Sequence, residues 1–315
     1  MKLSEELTAR GFIYQHSADT NTILDGEKRT VYLGIDPTAD AIHIGNLVPF
    51  MMLNHIMKAG HRVILLLGGG TAMIGDPSGR DTERELATVE KISAQAAVME
   101  TGVRALSTGD ITFVNNYDWL SKLTALDFMR DVGKHFTVNA MIKKESVAKR
   151  MESENGISYT EFSYSLLQGY DYLHLHQHNG ANVQIGGSDQ WGNLIAGVEL
   201  IRRVTGHEAF ALTMPLIVDK ATGKKFGKSM GNAVWLSRHK TTPYELYQFW
   251  LNTSDESVID YLKLFTFISL DEIATIETSH EADRSARTAQ RRLADEVVRF
   301  VHGEDARLGA SLATD

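Results

Sequence analysis

The sequence predicts an α/β fold, a parallel sheet covered on both faces and followed by an all-helical region, and three observations predict it. Near-continuous apolar runs rich in Val, Ile and Leu recur through the first two thirds of the chain, the pattern of strands buried on both faces. Helix-length stretches separate several of these runs, as crossovers between parallel strands require. Beyond residue 240 helical periodicity continues with no strand candidate of comparable quality.

Taken in order, "MKLSEELTARG" reads as an amphipathic helix rather than a signal sequence. Strands are expected at "TVYLGID" (30–36), "RVILLLGG" (62–69), "ITFVNN" (111–116), "NVQIGG" (182–187) and "ALTMPLIV" (211–218). A helix is expected over 46–59, with Leu47, Met51, Asn54 and Met57 in register and Gly60 as its stop. From 117 to 180 the pattern is mainly helical, which suggests an insertion between strands. "DKATGKKFGKSMGNA" (219–233) is a polar, Gly- and Lys-rich loop. "TPYELYQFWLN", "VIDYLKLFTF" and "RTAQRRLADEVVRFVHG" are helical. The expected division is an α/β domain over 1–220, loop and linker over 221–240, and a helical domain over 241–315.

At 315 residues and 43% hydrophobic content the chain can bury a sizeable core. A net charge of −8 argues against a protein that coats nucleic acid non-specifically, while leaving room for a local basic patch. With no cysteine, disulfides, thiolate nucleophiles and zinc–thiolate sites are excluded, and a reducing compartment fits. The apolar run at 62–75 is broken by glycines well short of a membrane span. The expectation is a soluble, cytoplasmic protein with no membrane partner.

The chemistry-bearing residues begin at "DPTADAIHIGN" (36–46). Pro49 lacks an N–H and is tolerated only in the first turn of a helix, which places the helix start near Asn46. His43 and Asn46 then stand three residues apart at a terminus suited to anions, with Thr38 close by. Simple capping by His43 and Asn46 is the alternative, and spacing alone leaves both open. "GGGTAMIG" (68–75) fails the dinucleotide fingerprint because the third glycine falls on Met73. "TGKKFGKS" is not a P-loop, since Thr222 occupies a required glycine position. Lys224, Lys225 and Lys228 on that glycine-spaced backbone could close over a polyphosphate. His174, His176 and His178 in "HLHQH" share one face only on a strand, and their segment looks helical, so they read as surface histidines rather than a metal site.

Seven blocks in order, "YLGIDPTADAIHIGN", "GDPSGR", "NNYDW", "FMRDVGKHF", "TEFSYSLLQGYDY", "QIGGSDQWGN" and "KFGKS", resemble bacterial-type tyrosyl-tRNA synthetases. "HIGN" and "KFGKS" resemble the HIGH and KMSKS signatures of class I aminoacyl-tRNA synthetases. The resemblance covers nearly the whole chain. It implies a Rossmann-type catalytic domain with a helical connective insertion, then a helical domain. It also implies the reaction: tyrosine and ATP give tyrosyl-adenylate and pyrophosphate, and the tyrosyl group passes to the terminal adenosine of tRNA.

The resemblance assigns residues as well. Thr38, His43 and Asn46 would hold the phosphates, and Arg80, Arg84, Lys225 and Lys228 would meet the leaving pyrophosphate. Tyr32 and Asp171 would bond the phenolic hydroxyl, Asp76, Tyr164 and Gln168 would surround the α-ammonium, and Gln190 would lie near the carboxylate. Gly34, Asp36, Gly186, Gly187, Asp189 and Ser229 would contact the nucleotide, with Asp189 on the ribose. Mg²⁺ is implied as ATP's companion and no protein-bound metal is expected. On a chain of net charge −8 tRNA must be held by local cations, for which Lys143, Lys144, Lys149, Arg150, Arg202 and Arg203 are the candidates, and the resemblance implies a homodimer through the insertion, where Phe136, Val138 and Met141 recur.

Three departures bear on these expectations. Asn46 replaces the second histidine of HIGH, and Leu33 stands where some members carry a polar or thiol ribose contact. The chain stops at Asp315, whereas bacterial members continue into a small S4-like domain, so activation of tyrosine is expected to outrun charging of tRNA. A tryptophan-specific synthetase and a non-catalytic RNA-binding relative are the rival readings. Tyr32 with Asp171 argues against the first, and retention of His43, Asp76, Asp171, Asp189, Gln190, Lys225 and Lys228 against the second.

Overall fold

The structure, a computed structural model, describes residues 1–78, 87–154, 156–218, 220, 226, 228–229 and 232–314, with backbone only at 228, 229 and 232. Helix α1 (Leu3–Arg10) ends at Gly11 in the left-handed region, φ +87°. Strand β1 (Gln15–His16), helix α2 (Thr20–Leu24) and strand β2 (Thr30–Ile35) follow. A 3₁₀ turn, Ile44–Asn46, leads into α3 (Leu47–Lys58), and Gly60 at φ +86° turns the chain into β3 (Arg62–Leu67). Then come α4 (Val89–Leu106) and β4 (Ile111–Asn115).

The region after β4 is helical: α5 (Tyr117–Leu120), α6 (Ala125–Asp127), α7 (Val138–Met141), α8 (Glu145–Met151) and the long α9 (Tyr159–Asn179). Ser158 caps α9 by accepting from the Glu161 N–H, and Gly180 ends it at φ +70°. The expected insertion over 117–180 therefore has two parts. Its last helix, α9, buries Tyr172, Leu173 and Leu175 and is itself a sheet-covering crossover, so the excursion proper lies before it.

Strand β5 (Val183–Gly187), helix α10 (Trp191–Thr205) and strand β6 (Phe210–Met214) complete the main sheet among the described residues. The strand expected over 211–218 stops at Met214 because Pro215 follows, with no N–H to give a ladder. The sheet order is β1-β6-β5-β2-β3-β4, parallel throughout except for β1, which pairs antiparallel with β6. Two-residue β1 is too short to carry a periodicity of its own, so the sequence pattern does not announce it.

Beyond the sheet, β7 (Lys228–Ser229) pairs with β8 (Asn232–Ala233). The terminal helices are α11 (Pro243–Leu251), α12 (Val258–Phe265), α13 (Leu270–Ala282), α14 (Thr288–His302) and α15 (Glu304–Leu312). Thr242 and Glu245 form a capping box at the start of α11, with Pro243 in its first turn.

Alternation along the strands sorts side chains to two faces. Val31, Leu33, Val63, Leu65 and Leu67 join a core cluster with α3, α4 and the terminal helices, including Trp250 and Leu293. Tyr32, Ile64 and Leu66 face the other way, against α9 and α10. Arg10, 3% exposed, donates to the carbonyl oxygens of Lys263, Thr266 and Ile268, fastening α1 to the end of α12.

Candidate active site

A cleft of about 500 Å³ opens where the carboxyl ends of β2 and β5 diverge, the position at which ligands bind in open α/β sheets. Tyr32, Asp171, Asp76, Tyr164, Gln168 and Gln190 all line it. So do Thr38, His43 and Asn46, and Gly34, Asp36, Gly186, Gly187 and Asp189. Segments from both halves of the sheet thus meet around one space.

At one wall His43 caps the 3₁₀ turn: its Nδ1 accepts from the Gly45 N–H at 3.0 Å. An accepting Nδ1 places the neutral ring's proton on Nε2, so this nitrogen is a donor. Gly45 permits the arrangement, since a Cβ there would sit 2.9 Å from the His43 ring. His43 is therefore both a cap and a cleft residue. Asn46 makes no side-chain cap bond at the start of α3.

Asp36 ties three segments together. Its Oδ1 accepts from Thr71 Oγ1 at 2.7 Å and its Oδ2 from the Tyr164 hydroxyl at 2.9 Å. Gly68 is required beside it, because a Cβ there would fall 2.0 Å from Asp36 Oδ1. The Tyr164 phenol, raised well above its ordinary pKa by burial and by the Asp36 charge, remains a donor. The family resemblance puts Asp36 on the nucleotide. Each oxygen accepts one protein donor and keeps acceptor capacity towards the cleft that Asp36 lines, so the residue is a strut of the cleft and still available to a ligand.

Across the cleft, Gln190 Nε2 donates to Asp76 Oδ2 at 2.6 Å, and the Ser78 N–H donates to Asp76 Oδ1 at 2.9 Å. Asn193 donates to Gln190 Oε1 at 3.2 Å and orients that amide. A Cβ on Gly186 would lie 3.2 Å from Leu194, and one on Gly187 would lie 2.5 Å from Asp189 Oδ1, so a side chain at either position would crowd the residues of the following turn.

The floor holds Asp171, 2% exposed. Asn116 Nδ2 donates to its Oδ2 at 2.8 Å and Trp119 Nε1 to its Oδ1 at 2.7 Å. Burial raises the carboxyl to about 7 against the opposing pull of those two bonds. Tyr32, 1% exposed, packs edge-on to Tyr172 at 5.0 Å, and its buried hydroxyl has no hydrogen-bond partner. Burial, then the charge of Asp171, raises the Tyr32 phenol well above its usual range. A buried donor without a partner costs about 1–3 kcal/mol, so a ligand hydroxyl here would relieve a deficit. Asn116 and Trp119 receive no role from the sequence, although both lie in the "NNYDW" block. A polar pair three residues apart just after a strand end is the available signal.

Two expected tRNA cations need correction. Arg150 is 3% exposed and bidentate to Glu161 at 2.9 and 2.8 Å, with a further bond to the Gly156 carbonyl. It is an internal tie between α8 and α9, not a surface charge. Lys144 has a buried Nζ with no hydrogen-bond partner, and burial lowers its pKa to about 8. Lys143 and Lys149 are exposed, and Arg202 and Arg203 share Glu199 at 2.6 and 3.7 Å. Of the apolar trio expected at a dimer face, Met141 is buried and Phe136 packs inward, while Val138 is exposed. The three histidines lie on α9, as the helical reading expects, with His178 exposed and His174 and His176 half-buried: His174 stacks between Trp119 and His178, and His176 meets His207.

Arg80, Arg84 and Lys225 lie outside the described residues, as does Lys224. Lys228 and Ser229 are described only as the backbone of β7. Phe226 lines the cleft and packs on Phe249, Trp250, Tyr261 and Phe265 of the terminal helices. Among the described residues no group of three or more His, Asp or Glu could hold a metal ion, and no helix is long and apolar enough to cross a membrane.

Comparison with known proteins bears on the whole chain. The family model described as tRNA synthetases class I (W and Y) matches residues 24–315. A tyrosine–tRNA ligase from Streptococcus mutans is 51% identical over 314 residues, covering 97% of this chain and 74% of the relative. Tyrosine–tRNA ligase 2 of Enterococcus faecalis is 52% identical over 309 residues, covering 96% and 73%. The crystal structure of a C-terminally truncated mitochondrial tyrosyl-tRNA synthetase from Aspergillus nidulans superposes with a TM-score of 0.90 at 32% identity, covering 99% of this chain and 93% of that one.

Proposed function

The chain belongs to the tyrosyl-tRNA synthetases of class I and is a tyrosine–tRNA ligase, and from that premise we propose how its cleft performs the reaction. The observation that carries the reading is the unpartnered Tyr32 hydroxyl beside Asp171 at the cleft floor. A substrate phenol donates to the Asp171 carboxylate and accepts from Tyr32, satisfying both. Asp76 with Tyr164 and Gln168 receives the α-ammonium, and Gln190 lies at the carboxylate. Phenylalanine would leave the buried pair unmatched. Tyrosyl-tRNA synthetases are the standard example of this effect, and the rejection of phenylalanine by about 10⁵ is carried over from the family.

ATP occupies the space between the "HIGN" turn and the "GGSDQ" turn, with Asp189 at the ribose and the backbone of Gly186 and Gly187 along the nucleoside. The tyrosine carboxylate oxygen forms a bond to the α-phosphorus while the bond to the bridging oxygen of pyrophosphate breaks. His43 Nε2–H, Asn46 and Thr38 donate to the phosphates as charge shifts to the leaving group. Arg80, Arg84, Lys225 and Lys228 take the remaining charge by family resemblance, and Mg²⁺ travels with ATP. Transfer then moves the tyrosyl group to the terminal adenosine of tRNA(Tyr), in the cytoplasm. We divide the labour between 1–220 for chemistry, 221–240 for the closing loop and 241–315 for support.

ATP–pyrophosphate exchange measured with each amino acid separately tests the reading. Exchange with tyrosine alone is expected, and equal exchange with tryptophan would overturn it. A homodimer through the insertion belongs to the same proposal. Leu126, Met129, Val138, Met151 and Tyr159 are all exposed large apolar residues of this region, and the Tyr159 hydroxyl reaches within 4.0 Å of Met129 Sδ. Light scattering at micromolar concentration is expected to give a dimer mass. A monomer would remove it.

A further inference from the structure

We propose that His174 is a positioning residue for tyrosine recognition: its ring holds the Trp119 indole flat, and the indole N–H in turn holds the Asp171 carboxylate. The proposal rests on the reading of Asp171 as the phenol acceptor. Trp119 belongs to α5, a single turn of four residues that cannot by itself fix an indole. Its ring is held from the side by α9. His174 stacks on it at 4.2 Å between centroids and 16° between planes, and His178 stacks on His174 at 4.1 Å and 21°. His178 Nδ1 is 2.9 Å from the His174 carbonyl oxygen, which sets the outer ring of the stack.

Asp171, His174 and His178 occupy one face of α9 at intervals of three and four residues. Acceptor and stack therefore move as one body, while Trp119 arrives from another element and bridges them. Burial and His178 lower the pKa of His174 to about 4, so the stacked ring is a neutral imidazole under working conditions. With Asn116 on Oδ2 and Trp119 on Oδ1, the carboxylate has one orientation. A loosened Trp119 frees Oδ1 to rotate or to take a water, which weakens the phenol bond and reduces the penalty against phenylalanine.

The experiment measures kcat and KM in ATP–pyrophosphate exchange, for tyrosine and for phenylalanine, with wild type, His174→Ala, His174→Phe, Trp119→Phe and the double variant Trp119→Phe/His174→Ala. Loss of one aromatic stack is expected to raise the tyrosine KM of His174→Ala by about threefold to tenfold and to lower the preference over phenylalanine equally, with kcat within about twofold. His174→Phe restores both, since a flat ring is what is needed. Trp119→Phe has the same defect, and adding His174→Ala to it changes little, because both act through one N–H. An unchanged tyrosine KM in His174→Ala, or independent multiplying effects in the double variant, overturns the proposal. If His174→Ala does not fold, the comparison of His174→Phe with His174→Leu decides it: equal tyrosine KM values refute a stacking role. Wild type without tyrosine-dependent exchange would instead refute the functional reading itself.

Discussion

His43 of the "HIGN" turn and Trp235, just beyond the lysine-rich loop, are partners in an antiparallel bridge, with their rings 6.2 Å apart edge to face. Backbone bonds flank the bridge, from Ile44 N–H to Val234 O and from Leu236 N–H to Ile42 O, both 2.9 Å. Phe226 is anchored on the other side of Lys228, through its N–H to Ile217 O at 3.0 Å and through its aromatic neighbours. The short ladder holding Lys228 is therefore fixed to the wall that carries His43. Trp235→Ala is expected to lower kcat of tyrosine-dependent exchange by about tenfold to a hundredfold through misplacement of the loop. The tyrosine KM should stay within about twofold, and a KM effect without a kcat effect would disprove the coupling.

For His43 itself the expected effect is on the rate. In the proposed reaction its Nε2–H donates to charge that develops as pyrophosphate leaves, so His43→Ala should lower kcat by about 10²–10³. Presteady-state measurement of adenylate formation checks this, with tyrosine binding followed separately. Loss of tyrosine affinity at an unchanged rate would contradict the role.

Tyr32→Phe separates stability from function. No protein atom hydrogen-bonds the buried Tyr32 hydroxyl, so its removal should stabilise the chain by about 1 kcal/mol or leave it unchanged. The tyrosine KM should rise at the same time and the preference over phenylalanine should fall. Thermal melting together with exchange kinetics checks the pair of effects. Destabilisation by Tyr32→Phe would mean that the hydroxyl has a structural partner.

Much of this is legible in the sequence, and for physical reasons. Buried parallel strands must be apolar on both faces, so "RVILLLGG" announces itself, and Gly60 marks a turn whose backbone requires positive φ. Spacing locates the "HIGN" turn but cannot decide between capping and ligand binding, because His43 uses one ring nitrogen for the first and leaves the other as a donor. What escapes are relationships between distant segments. A charge at Arg150 looks the same in sequence whether it faces solvent or Glu161, and the apolar Met141 looks the same in a core as on a dimer face. The strut role of Asp36 depends on Thr71 and Tyr164 arriving from elsewhere.

Arg150 and Lys143 should separate cleanly. Arg150→Ala leaves Glu161 buried and alone, which is expected to cost about 3–5 kcal/mol of stability, measured by denaturant unfolding. Replacing both partners by apolar residues should recover most of that loss. Exposed Lys143→Ala should leave unfolding unchanged and raise the KM for tRNA, with a weaker salt dependence of binding. An Arg150→Ala protein of unchanged stability and weaker tRNA affinity would return Arg150 to the tRNA surface.

Asp171 gives the pH dependence. Burial holds its folded pKa at about 7, above the ordinary 3.8, so the folded state keeps a proton that the unfolded chain releases. Below about pH 4 both states are protonated and the stabilising contribution is fully present. Between about 4 and 7 the unfolded chain ionises first, and stability is progressively lost as pH rises through the folded value. Asp171→Asn should therefore lose less melting temperature than wild type between about pH 5 and pH 8. In the proposed binding mode tyrosine reverses the bias, because a phenol O–H donated to the carboxylate favours the ionised form and lowers its pKa. Binding near neutral pH should then release a fraction of a proton, read from calorimetric heats in two buffers of different ionisation enthalpy. Proton uptake on binding would show that the phenol meets a neutral acid, and would reverse the direction of hydrogen bonding assigned to the cleft floor.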